Sequence, residues 1–227
     1  MSTKATTLLE DIRYASTSNK RIPVLFAVDC SSSMSEQAID GEGVRRAKSD
    51  GVRRGLQDGL AYLQNAADLR YAARVGVLAF GDDVQFTGFQ DVDELQLPSL
   101  APRGATPMCE ALRQAAEETF LHAVKLNDDG QTASMTTIVV VTDGAPTDGD
   151  GRAEVARLLD LQHAKRCVVW AVGIDSSDRT RLEALGFPAS QVVTVQETSW
   201  ASIIELGTAS ATAIARGQQP FGVGEAL

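Results

Sequence analysis

Four apolar runs rich in β-favouring residues punctuate the chain, at 22–29 (IPVLFAVD), 74–80 (RVGVLAF), 137–142 (TIVVVT) and 167–173 (CVVWAVG). None alternates with polar residues, so each predicts a strand buried on both faces, as in a parallel sheet held between helices. Between the runs the period lengthens. From Met108 onward, apolar or small residues recur at Ala111, Leu112, Ala115, Ala116, Thr119, Phe120, Ala123 and Val124, the i, i+3, i+4 stripe of an amphipathic helix. Val52, Leu56, Leu60 and Leu63 predict another helix, with Gly51, Gly55 and Gly59 beside them at four-residue spacing. Each glycine weakens a helix by ~1 kcal/mol relative to alanine, which predicts that this helix lies close against the sheet. Further helices are expected over 152–165 and over 199–216, the latter with Trp200, Ile203, Ile204, Gly207, Ala211 and Ile214 inward. Residues 84–87 follow a Gly81-Asp82-Asp83 turn and predict a short edge strand in a hairpin. Strands alternating with helices specify an α/β, doubly wound, mostly parallel sheet with one short antiparallel edge strand and helices on both faces.

A length of 227 residues fits one such domain. Neither a linker rich in Pro, Gly and Ser nor an internal repeat divides it. The expected organisation is a polar N-terminal arm over 1–20, a domain over 21–216 and a C-terminal tail over 217–227 (GQQPFGVGEAL), in which Phe221 is read as solvated or locally packed. Hydrophobic residues at 44% and charged residues at 22% exclude disordered and collagen-like chains. The charge is more informative: 21 basic against 30 acidic residues leave −9, which phosphate backbones and anionic membranes repel. Nucleic acid and lipid are therefore not expected partners, whereas cations or basic proteins are. No apolar stretch approaches the ~20 residues of a membrane helix. The N-terminal MSTKATTLLEDIRYAS lacks the uninterrupted apolar region of a secretory signal. Cys30, Cys109 and Cys167 are far apart and odd in number, which argues against a disulfide framework and for a cytoplasmic protein.

In an open parallel sheet, ligands bind beyond the carboxyl ends of the strands. The first strand runs into Asp29-Cys30-Ser31-Ser32-Ser33-Met34-Ser35. A carboxylate followed by alternating hydroxyls offers the hard oxygen ligands that Mg²⁺ or Mn²⁺ requires, although a serine-rich helix cap would read the same way. The 137–142 strand ends in Asp143-Gly144-Ala145-Pro146-Thr147, a second carboxylate at the same edge. Between these segments, Thr106 and Pro107 stand where the N-cap and first residue of the Met108 helix would be, so capping alone accounts for this threonine. Together the segments supply two carboxylates and three hydroxyls, enough for an oxygen-rich octahedral site with one open position.

Asp29-x-Ser31-x-Ser33, Thr106 and Asp143, in that order and strand context, resemble the metal-ion-dependent adhesion site of von Willebrand factor A (VWA) domains. The resemblance extends over residues 21–216. Within that superfamily, the run TDGAPTDG (142–149) and the closing helix after Ser199 look like the bacterial tellurite-resistance TerY-type branch. Gly104-Ala105-Thr106 departs from the Gly-Gly-Thr of many relatives. The resemblance implies that Asp29, Ser31 and Ser33 ligate Mg²⁺ (or Mn²⁺) directly or through water, that Thr106 adds a hydroxyl and that Asp143 acts mostly through water. It also implies a binding module rather than an enzyme, with an acidic side chain of a protein partner completing the coordination. The TerY-type branch implies association with a Ser/Thr kinase and a PP2C-type phosphatase in a bacterial signalling or stress-response system.

Two other functions compete with this one. A VWA scaffold with a structural or lost metal would recruit its partner through a different surface. A metal-dependent hydrolase would need a general base, a dehalogenase-type phosphatase would need a second aspartate where Ser31 stands, and a serine hydrolase would need G-x-S-x-G. The two histidines fall inside predicted helices, with His122 expected on the solvent side and His163 packing at a helix end. Cys30, beside a carboxylate, is expected to be a buried, inert thiol. Cys109 and Cys167, with Trp170 and Trp200, are expected in the core. Asp148-Gly149-Asp150-Gly151 reads as a solvated turn, and Arg45, Arg46, Lys48, Arg53 and Arg54 read as a solvated helix face.

Overall fold

A computed structural model describes residues 19–39 and 43–195. The arm expected over 1–20, the helix expected over 199–216 with Trp200, and the tail with Phe221 therefore lie wholly or largely outside the described residues. The strands are β1 (Lys20–Asp29), β2 (Gln37–Ile39), β3 (Arg45–Ala47), β4 (Ala73–Phe80), β5 (Val84–Phe86), β6 (Gln90–Asp91), β7 (Thr132–Ala133), β8 (Thr136–Thr142), β9 (Cys167–Gly173) and β10 (Val192–Thr194). The helices are α1 (Lys48–Asn65), α2 (Ala67–Arg70), α3 (Met108–Asp128), α4 (Arg152–His163) and α5 (Ser176–Leu185). The main sheet runs β10-β9-β8-β1-β4-β5, with β7 also beside β1 and β6 also beside β4; it is parallel except for β5 and β6, both antiparallel to β4, while β2 and β3 pair separately. This is the mixed, mostly parallel sheet that the apolar runs predict.

The lack of polar alternation in the central strands has a direct cause in the packing. Val24, Phe26 and Val28 of β1 point to one face, where Val52, Leu56 and Leu63 of α1 cover them together with Trp170. Leu25 and Ala27 point to the other face, under Met108, Ala111 and Leu112 of α3, Leu158 of α4 and Leu182 of α5. Both faces are dry, so every position of the strand must be apolar. Among the described residues no helix is long and apolar enough to cross a membrane.

Several expectations change once the packing is known. The inward stripe of α3 narrows after Thr119: Ala123 is half-buried and Leu126 buried, but Phe120 and Val124 are exposed, and His122 is half-buried, its ring stacked on Phe89 at 4.1 Å between centroids. Of the three α1 glycines, Gly55 and Gly59 are buried as expected, but a Cβ on Gly51 would meet nothing within 4 Å. Among the elements that the apolar pattern left unread are the short strands β2, β3, β6 and β7, the short helix α2, and α5 and β10. Helix α5 announces itself through its cap instead, since Asp175 accepts the Ser177 N–H and forms a capping box with Asp178.

Candidate functional site

Parallel pairing of β4, β1 and β8 brings the carboxyl ends of these strands to one edge. Asp29 ends β1. The register that sets Val28 opposite Val141 continues so that Asp29 lies beside Thr142, whose hydroxyl donates to Asp29 Oδ2 at 2.6 Å. Oδ1 of the same carboxylate accepts the Ser31 backbone N–H at 2.7 Å, which folds the chain after β1 back over the strand end. The short 3₁₀ turn Ser32–Ser35 then presents the alternate hydroxyls. Ser31 Oγ and Ser33 Oγ are 3.0 Å apart, and Ser33 Oγ donates to Asp143 Oδ1 at 2.7 Å. Asp29, Ser31, Thr106 and Asp143 are all buried. Ser31 and Asp143, 112 positions apart in the chain, are thus linked by one hydrogen-bonded run of side-chain oxygens.

Thr106 joins from the loop before α3. It is not the cap of that helix: Asp148 is, accepting the N–H groups of Cys109 at 3.0 Å and Glu110 at 2.9 Å. Burial works against the charge of Asp148, but these two N–H groups outweigh it and hold the carboxyl below its ordinary range. The turn read as solvated thus has a structural role. With the cap supplied from elsewhere, the Thr106 backbone pairs with Thr147, its N–H donating to Thr147 Oγ1 at 3.0 Å while its carbonyl accepts the Thr147 N–H at 2.9 Å. The Thr106 hydroxyl faces the turn after Asp143, 3.8 Å from where a Cβ on Gly144 would stand. Ala105 is compatible with this loop, because the left-handed residue is Gly104, with φ +71°. A Cβ on Gly104 would run into the Asp82 backbone nitrogen at 2.7 Å. The Gly104 carbonyl in turn accepts from the Ser32 N–H and hydroxyl, which ties the threonine loop to the serine loop.

Electrostatically, the site holds two carboxylates that repel each other. Burial pushes the Asp29 carboxyl above its ordinary range; the Ser31 and Thr142 hydrogen bonds oppose the rise, and the Asp143 charge adds to it. Asp143 is answered by a cation that the sequence pattern had assigned to a solvated face. Lys48 Nζ lies 2.6 Å from Asp143 Oδ2 and 2.9 Å from Glu36 Oε2. Burial disfavours the Lys48 ammonium, but hydrogen bonds and charge from Asp143 and Glu36 prevail and raise its pKa. Arg181 Nη1 donates to the Asp143 carbonyl and to Asp178 Oδ1, both at 2.9 Å. Cys30 behaves as expected, its thiol pushed up to about 12 by burial and the Asp29 charge. The three cysteines are free and buried.

The structure brings together Asp29, Ser31, Ser33 and Asp143 by direct bonds and sets Thr106 beside them. Pattern reasoning missed Thr142, Lys48, Arg181 and Asp148. Thr142 was accessible from strand pairing alone, whereas Lys48 was not, since its position depends on a small hairpin with no strong turn signal. Among the described residues no three His, Cys, Asp or Glu side chains cluster as a metal site would. A cation here would be held by two carboxylates and hydroxyls, a hard, oxygen-only donor set that suits Mg²⁺ or Mn²⁺ and gives Zn²⁺ no preferred ligand.

A doubly wound sheet with an acidic and hydroxyl-rich carboxyl edge places the chain among α/β domains that carry their site on strand-end loops. The chain belongs to the von Willebrand factor type A domain family, which matches residues 24–209. Among solved structures it is similar to the PilB minor pilin from Streptococcus sanguinis, with 15% identity, a TM-score of 0.53, and 83% of this chain and 62% of that one covered. It is also similar to the three N-terminal domains of the type V pili tip protein Mfa5 from Porphyromonas gingivalis, at 10% identity and TM-score 0.54, covering 77% and 47% of the two chains. For the vWF domain of Mfa5 alone, identity is 12%, TM-score 0.50 and coverage 89% and 98%. The chain thus spans less than two thirds of the first two, and at these identities the likeness shows the fold alone. No curated protein matches the chain.

Proposed function

We propose that this VWA domain is a metal-dependent protein-binding module and not an enzyme. Asp29, Ser31, Ser33, Thr106 and Asp143 would hold one divalent cation, Mg²⁺ or Mn²⁺. The observation that carries the reading is the continuous hydrogen-bonded run from Ser31 through Ser33 to Asp143, beside the buried Asp29. Such an arrangement preorders oxygen donors from two distant segments around one point. When bound, the cation supplies an electrophilic position for an incoming oxygen. The residues of the chain supply only two negative charges to it, which favours a Glu or Asp side chain of a protein partner as the remaining ligand. By the same logic, nucleic acid and membrane surfaces are not the partners, given the net charge of −9.

The wider setting is proposed from the TDGAPTDG run at 142–149: a bacterial signalling or stress-response system of the tellurite-resistance TerY type, cytoplasmic, with a Ser/Thr kinase and a PP2C-type phosphatase as associated proteins. A second reading has an observation of its own. Lys48 neutralises Asp143 internally, so a metal-free scaffold that recruits its partner elsewhere is electrostatically self-consistent. Calorimetry with Mg²⁺ and Mn²⁺, followed by pull-down with and without EDTA, separates the two. Cation binding that Asp29→Ala abolishes, with partner capture lost in EDTA, is the expected outcome. Equal capture with and without the chelator leaves the scaffold reading standing.

A further inference from the structure

Lys48 is a cation enclosed at the mouth of the site, and the adhesion reading assigns it no role. It opens α1, directly after the β2–β3 hairpin. That hairpin pairs Gln37 with Ala47, which places Lys48 opposite Glu36, whose carbonyl accepts the Lys48 N–H at 2.9 Å. With its backbone fixed there, the ammonium reaches Asp143 Oδ2 at 2.6 Å and Glu36 Oε2 at 2.9 Å. The Lys48 side chain is 10% exposed and that of Asp143 only 1%, whereas that of Glu36 is 67% exposed. The other Asp143 oxygen accepts the Ser33 hydroxyl, so both are engaged. Counting formal charges, Asp29 and Asp143 bring −2 and Lys48 returns +1, leaving −1. Solvent screens Glu36, so it offsets the ammonium less than buried Asp143 does.

We infer that Lys48 is a tethered counter-ion that competes with the divalent cation for Asp143 and thereby sets the metal affinity of the site. This rests on the metal-dependent reading above and names a control built into it. A cation entering the site meets half the negative charge of the two carboxylates, and a positive charge beside it. Because Lys48 also bonds Glu36, it keeps a partner if Asp143 turns to the cation, and no buried ammonium is stranded. Glu36 therefore acts on metal binding through Lys48, by giving the ammonium a second partner to keep when Asp143 turns to the cation.

The test measures Mn²⁺ binding to the full chain by calorimetry, with free Mn²⁺ followed by electron paramagnetic resonance, for wild type, Lys48→Met, Glu36→Gln and the double variant. Lys48→Met should bind Mn²⁺ on the order of tenfold more tightly. Glu36→Gln should bind several-fold more weakly, and that effect should fall below about twofold in the Lys48→Met background, because its route is through the lysine. Lys48→Gln, which keeps a hydrogen-bond donor for Asp143, carries the same expectation if Lys48→Met does not fold. Binding by the Lys48 variants with a silent wild type is the limiting case of the competition and supports it. Equal or weaker affinity in a folded Lys48 variant, or a Glu36→Gln effect unchanged in the double variant, overturns the inference while the metal reading stands. No Mn²⁺ binding by wild type or by any variant overturns both.

Discussion

At the scale of single residues, Asp29 shows what a proposed ligand position costs the fold. Its carboxylate is nearly inaccessible and receives two hydrogen bonds, from the Ser31 N–H and the Thr142 hydroxyl. Burial and the Asp143 charge still raise its pKa. A carboxyl with a folded pKa above its unfolded value stabilises the fold below the unfolded pKa, and that contribution is lost as pH rises through the folded pKa. At neutral pH the ionised Asp29 is therefore a net cost. Asp29→Asn, which keeps an acceptor for the Ser31 N–H, should match or exceed the wild-type melting temperature at pH 7 without added metal. Its advantage should shrink as the pH falls through the raised folded pKa toward the ordinary carboxylate range, and be gone below that range. Thermal melts of both proteins across that range check the sign; a variant that melts far below wild type at pH 7 would make Asp29 a structural residue.

Among the elements, α3 and α1 carry separable predictions. The first turn of α3 depends on Asp148, which reaches it from the loop after β8 and caps two N–H groups. Asp148→Ala should cost about 1 kcal/mol, seen as a fall of about 2–4 °C in melting temperature for a chain of this size. The Asp148 pKa is lowered, so its contribution is present above the unfolded carboxyl pKa and lost as pH falls through the folded one. The difference between wild type and variant should accordingly vanish in acid, opposite in direction to Asp29→Asn. In α1, Gly51 lies in helical backbone with open space where a side chain would be. Gly51→Ala should therefore stabilise the protein by about 0.5–1 kcal/mol, measured by urea denaturation. A loss of stability would mean that the helix needs the glycine for close packing.

For the whole molecule, the strand-end loops are bound to one another rather than suspended separately. The Gly104 carbonyl holds the serine loop, Thr147 holds the threonine loop and Arg181 of α5 holds the Asp143 carbonyl. A cation bound to these loops in the folded state and absent from the unfolded chain stabilises by mass action. At about 100 times its dissociation constant the gain is about 2.7 kcal/mol. Mg²⁺ or Mn²⁺ should then raise the melting temperature by about 5–10 °C, EDTA should reverse the shift, and Asp29→Ala should abolish it. Differential scanning fluorimetry measures all three. A shift retained by Asp29→Ala would move cation binding to another part of the surface.

The central strands and the main helices were determined by the sequence itself, because burial on two faces leaves no polar position in a strand and burial on one leaves a stripe on a helix. Asp29, Ser31, Ser33, Thr106 and Asp143 were legible as candidates for a related reason: each follows a strand or precedes a helix, and strand ends of a parallel sheet share an edge. Other features are products of tertiary contact. Whether Thr106 caps α3 depended on Asp148, a residue 42 positions away that only the folded loop brings to the helix. Lys48 sits among arginines in a charged run, and the same residue type would serve equally on a solvated face. Its role as the partner of Asp143 was decided by the register of a hairpin of two three-residue strands, which sets Lys48 opposite Glu36. Periodicity records which side of an element meets the core, but a polar side chain carries no such record of its partner, because the partner's position is set by how the elements come together.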